Sequence, residues 1–219
     1  MLRFLRPWHV LAVAIALGAG VLIPLVTAHD HSALSADART NRADFHDAMR
    51  ELWEDHIVWT RMVIVSMVDD LPDRAVATER LLRNQDDIGD AIRPFYGEAA
   101  GAQLSTLLRE HIVGAAALLS AAKAGDSAAV DEAAAAWYAN GDEIAAFLGA
   151  ANPRHWPLNE MEAMMRDHLD LTLAEAVARL EGRYADDVAA YDEIHVQILH
   201  MADMLSDGII AQFPAHFAR

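Results

Sequence analysis

Phe45, Met49, Leu52, His56, Trp59 and Val63 fall three or four residues apart, the spacing of one face of a helix packed in a bundle. The same period recurs in five further stretches separated by Gly, Pro, Asp and Asn. It predicts helices over about 41–68, 73–92, 98–124, 127–149, 159–181 and 184–212. The breaks are Asp69-Asp70-Leu71-Pro72-Asp73, Arg93-Pro94-Phe95-Tyr96-Gly97, Gly125-Asp126, Asn152 to Pro157, and Gly182. Asn159 followed by Glu162 reads as a capping box opening the fifth helix. No stretch alternates long enough to be a strand, and no repeat of 20–50 residues stands out. The fold class that follows is all-α: an antiparallel helical bundle. Its first, third, fifth and sixth helices form a four-helix core and the second and fourth flank it.

The chain ahead of the bundle reads as a targeting segment. Arg3 and Arg6 precede an apolar run from Val10 to Val26, and Val26-Thr27-Ala28 suits cleavage after Ala28. Residues 1–28 are therefore expected to be a signal peptide, 29–40 a polar tether and 41–219 the bundle domain. The expected location is periplasmic or secreted. If the run of about 17 apolar residues is retained instead, it anchors the protein in the inner membrane, its one contact with a bilayer.

Composition narrows the function. The formal net charge is −16, and loss of Arg3 and Arg6 leaves 15 basic against 33 acidic residues, near −18. Nucleic acid is not an expected partner for such a chain. The absence of cysteine excludes disulfides, Fe–S clusters, thiolate-bound zinc and covalent c-type haem. There is no glycine-rich phosphate loop, no Gly-x-Ser-x-Gly and no HExxH.

What remains is histidine where leucine is usual. His56, His111, His168 and His195 lie on the predicted inner stripes of four helices. Asp192 sits one turn before His195, and Glu175 two turns after His168. Imidazoles with one or two carboxylates projecting inward are a first-row transition-metal set, for copper or iron, with zinc possible. At about 1.5 Å per residue, His56 and His111 lie at similar heights, and Glu175 levels with them if its helix runs parallel to theirs. His168 falls lower and His195 higher. Thr60 and Thr172, one turn from seam histidines, are placed to orient a ring.

Two alternatives stand beside the metal reading: an interaction or sensor bundle whose core histidines are structural or pH-responsive, and a di-metal oxidase-like enzyme. For the last, Glu-x-x-His is wanted on two helices, and this chain offers Asp192-x-x-His195 once. After cleavage, His29-Asp30-His31 would begin the chain, and an amine with histidine third can wrap Cu(II) or Ni(II) in a square plane. Met161, Met164, Met165, Met201 and Met204 add soft thioethers near histidine, or simply fill the core. Arg80 to Asp87 reads as a solvated helix face. A homodimer is open to the chain.

The segments ELWEDHIVWTR, LLRNQDDIG, PFYG, LLREHI, WYANGDEIAAFL and MADMLSDGIIAQF resemble those of a family of small bacterial all-helical proteins. The likeness runs from Arg50 to Phe213. Family members carry labels such as glycosyltransferase, which these residues do not support. The resemblance implies a helical bundle and marks His56, Glu110, His111, Asn140 and His168 as matching its motifs. It implies no particular activity.

Overall fold

Short connections dictate the topology. The computed structural model describes residues 41–217; the proposed signal peptide, the tether and the leader histidines His29 and His31 lie outside them. Six helices follow one another: α1 Arg42–Val68, α2 Arg74–Tyr96, α3 Glu98–Ala124, α4 Ser127–Ala151, α5 Leu158–Leu180 and α6 Tyr184–Gln212, with a 3-10 turn at Pro214–His216. Connections this short force each helix to run antiparallel to the one before it, so α1, α3 and α5 share a direction.

The ends follow local chemistry. Asn41 caps α1 by accepting from the Ala43 amide at 2.8 Å, and Asp126 caps α4 by accepting from Ala129 at 3.1 Å. Gly125 closes α3 at φ 71°, where its amide reaches the Ala122 carbonyl and that of Asp126 the Ala121 carbonyl. Two expected boundaries differ. α2 continues through Pro94 to Tyr96, since a proline in the last turn removes one amide without ending the helix; Gly97 at φ 87° then reverses the chain. Asn159 lies inside the first turn of α5, which opens at Pro157 without a side-chain cap, so the capping box does not form.

Each helix packs chiefly on its two neighbours in sequence, and α6 returns to α1, closing a ring of six; α1 also reaches α3 and α5 across the middle. This corrects the expectation of four core helices with two flanking. α2 buries Leu81 and Ile88, and α4 buries Trp137 and Ile144, as deeply as the others bury theirs. A narrow apolar face sufficed to suggest an outer helix, but in a ring every helix shows the centre only a narrow face.

The apolar interior has two parts. The larger contains Trp53, Ile57, Ile88, Leu108, Trp137, Met165 and Leu169; the smaller contains Val63, Ile64, Leu81 and Ile112. Along α1, α2 and α3, the change from one to the other coincides with buried polar side chains: His56, Asn84, Gln85 and His111. That polar layer is where function has to be sought.

Candidate functional site

His56, His111 and His168 come from α1, α3 and α5, and all three are buried. The His56 and His168 ring centroids lie 5.7 Å apart, and those of His111 and His168 6.5 Å apart. His168 is thus not lower than the other two, because the connection from Asn152 to Pro157 lets α5 enter the bundle staggered. His111 stacks on Trp137 at 5.2 Å, and His56 meets Trp53 edge-on at 5.8 Å. Burial favours the neutral form of all three, and for His56 and His111 the neighbouring rings add to it. It takes His56 well below its ordinary pKa and His111 down to about 3, and it lowers His168 as well.

Two of the rings are oriented by an amide from the next helix. His111 Nδ1 lies 2.9 Å from Asn140 Oδ1, while Asn140 Nδ2 donates to the Leu107 carbonyl at 3.1 Å. His168 Nδ1 lies 3.1 Å from Gln197 Oε1, while Gln197 Nε2 donates to the Met164 carbonyl at 3.3 Å. An amide whose NH2 end is spent on a carbonyl can only accept at its oxygen. Nδ1 of both histidines therefore carries the proton, and Nε2, nearly opposite on the ring, carries the lone pair.

The two arrangements are copies. Both amides lie 29 residues after the histidine, and both carbonyls belong to the residue four before it. The first hairpin divides the task between two side chains. Asn84 Nδ2 donates to the Leu52 carbonyl at 2.9 Å, four residues before His56. Gln85, 29 after His56 in the sequence, spends its NH2 on Leu81 and Asn84. Its Oε1 and His56 Nδ1 both lack a partner of good hydrogen-bond geometry, yet the amide stands close enough to favour the charged ring. The hairpins α3–α4 and α5–α6 thus present the same device, and α1–α2 places the same residue types at the same spacing without the bond to the ring.

The repeat is visible in the sequence once its length is known. Asp55-His56-Ile57, Glu110-His111-Ile112 and Asp167-His168-Leu169 are 55 and 57 residues apart, and Asn84-Gln85-Asp86-Asp87-Ile88 is similar to Asn140-Gly141-Asp142-Glu143-Ile144 at a spacing of 56, one residue off the histidine register. A search for periods of 20–50 residues stops just short of it. Asn84, Gln85 and Gln197 were missed for that reason. The expectation of a solvated face over Arg80 to Asp87 is corrected on the same point: Asn84 and Gln85 are fully enclosed.

The remaining site candidates lie elsewhere. His195 is on the rim of α6 with its Nε2 2.9 Å from Glu54, and Asp192 is exposed. The expected inner stripe of α6 holds from Ile198 through Ala202, Leu205 and Ile209, but in the first half of the helix the buried positions are Asp187 and Ile194, one residue before Val188 and His195. Glu175 is buried but accepts from Arg61 Nη1 at 2.6 Å, as does Asp187, also at 2.6 Å. Burial pushes Glu175 up to about 7 against the pull of Arg61. Thr60 and Thr172 donate to the carbonyls of His56 and His168 rather than to any ring.

The polar layer is rich in unpaired donors and acceptors: His56 Nδ1, Gln85 Oε1, Trp53 Nε1 and Trp137 Nε1 are buried without a hydrogen-bond partner. Two imidazoles on one tetrahedral ion, with bonds of about 2.0–2.1 Å, put ring centroids roughly 5 Å apart. The observed separations, 5.7 Å and 6.5 Å, both exceed that. As they stand, no three or more His, Asp or Glu among the described residues are arranged to hold a metal ion. No described helix is long and apolar enough to cross a membrane. No family model matches the chain, and no curated protein or solved structure matches it.

Proposed function

We propose that this protein is an exported metal-binding bundle in which His56, His111 and His168 share one first-row transition-metal ion, for storage, sensing or simple redox work. One observation carries the reading: Asn140 and Gln197 spend the Nδ1 proton of their histidines, which leaves Nε2 as the electron-pair donor. Ligating histidines are oriented in this way, by a hydrogen bond from the other ring nitrogen. Burial that keeps imidazole neutral also removes the competition between proton and metal. Closing the rings onto an ion takes small side-chain rotations, and the wider gap, to His111, sets their size. Glu175, Asp192 and His195 drop out of the ligand set, because each is committed to another partner or faces solvent. Export rests on the basic and apolar pattern of residues 1–28.

Element analysis of tag-free protein tests this. One ion of copper, iron or zinc per chain, lost in the His56→Ala and His111→Ala variants with the fold retained, is the expected outcome. Metal-free protein whose stability is unchanged by any of these ions contradicts it. The second reading, a sensor bundle with neutral core histidines, is favoured by the stacking of His111 on Trp137. In that case the alanine variants unfold in metal-free protein.

A further inference from the structure

Single apolar side chains scattered over a surface are ordinary, but rows of them on adjoining helices are not. Among the described residues nine large hydrophobic side chains are exposed, and five of them, Val58, Met62, Tyr184, Val188 and Val196, stand on α1 and α6. These two helices close the ring and share no hairpin. Side-chain bridges mark the outside of their seam. His195 Nε2 lies 2.9 Å from Glu54, and Arg61 donates to Asp187 at 2.6 Å while its guanidinium lies 4.9 Å from the centre of the Tyr191 ring. Val58 comes one turn after Glu54 and one turn before Arg61, which puts it on the edge of α1 that borders α6. Val188 follows Asp187 and precedes Tyr191 by one turn and His195 by two, which puts it on the matching edge of α6. Val58 and Val188, 38% and 51% exposed, therefore flank the same outer groove between the two bridges. Met62 and Tyr184 continue the two rows by a further turn toward one end.

The charge around this groove has one sign. Its arginines are spent: Arg61 on Glu175 and Asp187, Arg50 on Asp203, and Arg183 on Glu181 and Asp186. Glu51, Asp192 and Glu193 are exposed and in no ion pair among the described residues. Glu51 lies two turns before Val58, Asp192 one turn after Val188, and Glu193 one turn before Val196, so all three border the apolar rows. We infer that the outer α1–α6 face is a docking surface for a basic amphipathic helix of another protein. Its apolar side rests on Val58, Met62 and Val188, and its lysines and arginines reach Glu51, Asp192 and Glu193. A groove with an apolar row on each wall is where an amphipathic helix lies, read through anchors one turn apart. Charge selects among the possible occupants. A second copy of this chain, at a formal net charge of −16, brings further acid to an acidic rim, and an anionic bilayer is repelled in the same way. A basic helix is instead drawn in, and the attraction weakens as salt screens it. This inference stands apart from the metal reading and uses none of its residues.

The test uses the isotope-labelled protein expressed from the full chain, without a tag. The probe is a synthetic amphipathic peptide of leucine and lysine, long enough for about five helical turns. A second peptide has the same composition in a permuted order, so it keeps the charge and lacks the apolar face. The expected result is that amide shifts on adding the first peptide centre on residues 51–62 and 184–196, and that the permuted peptide binds at least about tenfold more weakly. Val58→Ser/Val188→Ser should lower the affinity about tenfold with Tm unchanged, since both positions are exposed. Val113→Ser, at an exposed apolar position of α3, should leave it as it was. Shifts spread over the whole acidic surface, or equal binding of the permuted peptide, would reduce the effect to bare charge attraction and overturn the inference. So would absence of binding. A dimer of the protein alone that Val58→Ser/Val188→Ser disperses would overturn it in favour of a second copy, and binding to phosphatidylglycerol vesicles lost in the same variant would overturn it in favour of a membrane.

Discussion

Asn140 holds His111 and the backbone of α3 together: its oxygen accepts from Nδ1 at 2.9 Å, and its NH2 donates to the carbonyl of Leu107, one turn earlier. Replacing Asn140 with Leu breaks both bonds and frees the ring. An unsatisfied buried donor costs about 1–3 kcal/mol, and loss of a ligand-orienting group lowers metal affinity roughly 10- to 100-fold. Gln197→Leu should do the same for His168. Urea unfolding of the apo protein and chelator competition of the loaded protein measure the two effects separately.

Acid should destabilise the apo protein. In the unfolded chain each histidine takes a proton near its ordinary value of 6.5, whereas folded His111 does so only at about 3. The unfolded state therefore binds more protons below about 6.5, and stability is lost as pH falls from there toward the folded values. Glu175 opposes this. Its folded value of about 7 stands above its ordinary 4.5, so between those two the fold gains a proton that the unfolded chain does not take. Three histidines against one carboxyl leave a net loss on going from pH 7.5 to pH 5. Glu175→Gln removes the opposing term and should make the fall steeper, as read from urea midpoints across that range.

Among the described residues Arg61 is the one cation that reaches both Glu175 and Asp187, which are almost wholly buried. Arg61→Met leaves two carboxylates in the core, with Arg179 still 3.5 Å from Asp187. Breaking such a pair from one side costs about 3–5 kcal/mol. Adding Glu175→Gln to Arg61→Met should recover part of the loss, and thermal unfolding of the single and double variants checks both claims.

Glycine at the helix crossings is a matter of space. A Cβ on Gly89 would lie 2.6 Å from the Gly101 carbonyl oxygen, and one on Gly208 would lie 2.0 Å from the indole nitrogen of buried Trp156. Alanine gains about 1 kcal/mol in helix propensity, but the overpacking costs about 1–3 kcal/mol and falls on backbone and on an enclosed ring. Gly89→Ala and Gly208→Ala should therefore lower Tm. Gly114→Ala, whose Cβ would meet Trp137 at 3.3 Å, should stay near wild type.

Much of this was legible in the sequence. The helices were, because the apolar period is long and the breaks are glycine, proline and capping residues. The burial of His56, His111 and His168 followed from the same period. The ring of six was not legible, since periodicity shows which face of a helix is apolar and not which helix it meets. On α6 the stripe through Tyr191, His195 and Ile198 competes with one through Ile194, Ile198 and Met201, and one residue of rotation carried His195 from the interior to the rim. Asn84 and Gln197 sit among charged or exposed neighbours, and their side chains are held by partners 32 and 29 residues away. No local rule reports such a partner.

The claim on which the account turns is that Nε2 of His56, His111 and His168 is the shared donor. Long-range proton–nitrogen correlation spectra of the imidazole rings, recorded on apo protein and again during addition of one equivalent of Cu(I), test it directly. Expected are His111 and His168 protonated at Nδ1 in the apo protein, followed by movement of all three Nε2 resonances together, complete at one equivalent. Rings protonated at Nε2, or Nε2 resonances that stay in place while the ion is added, would contradict it.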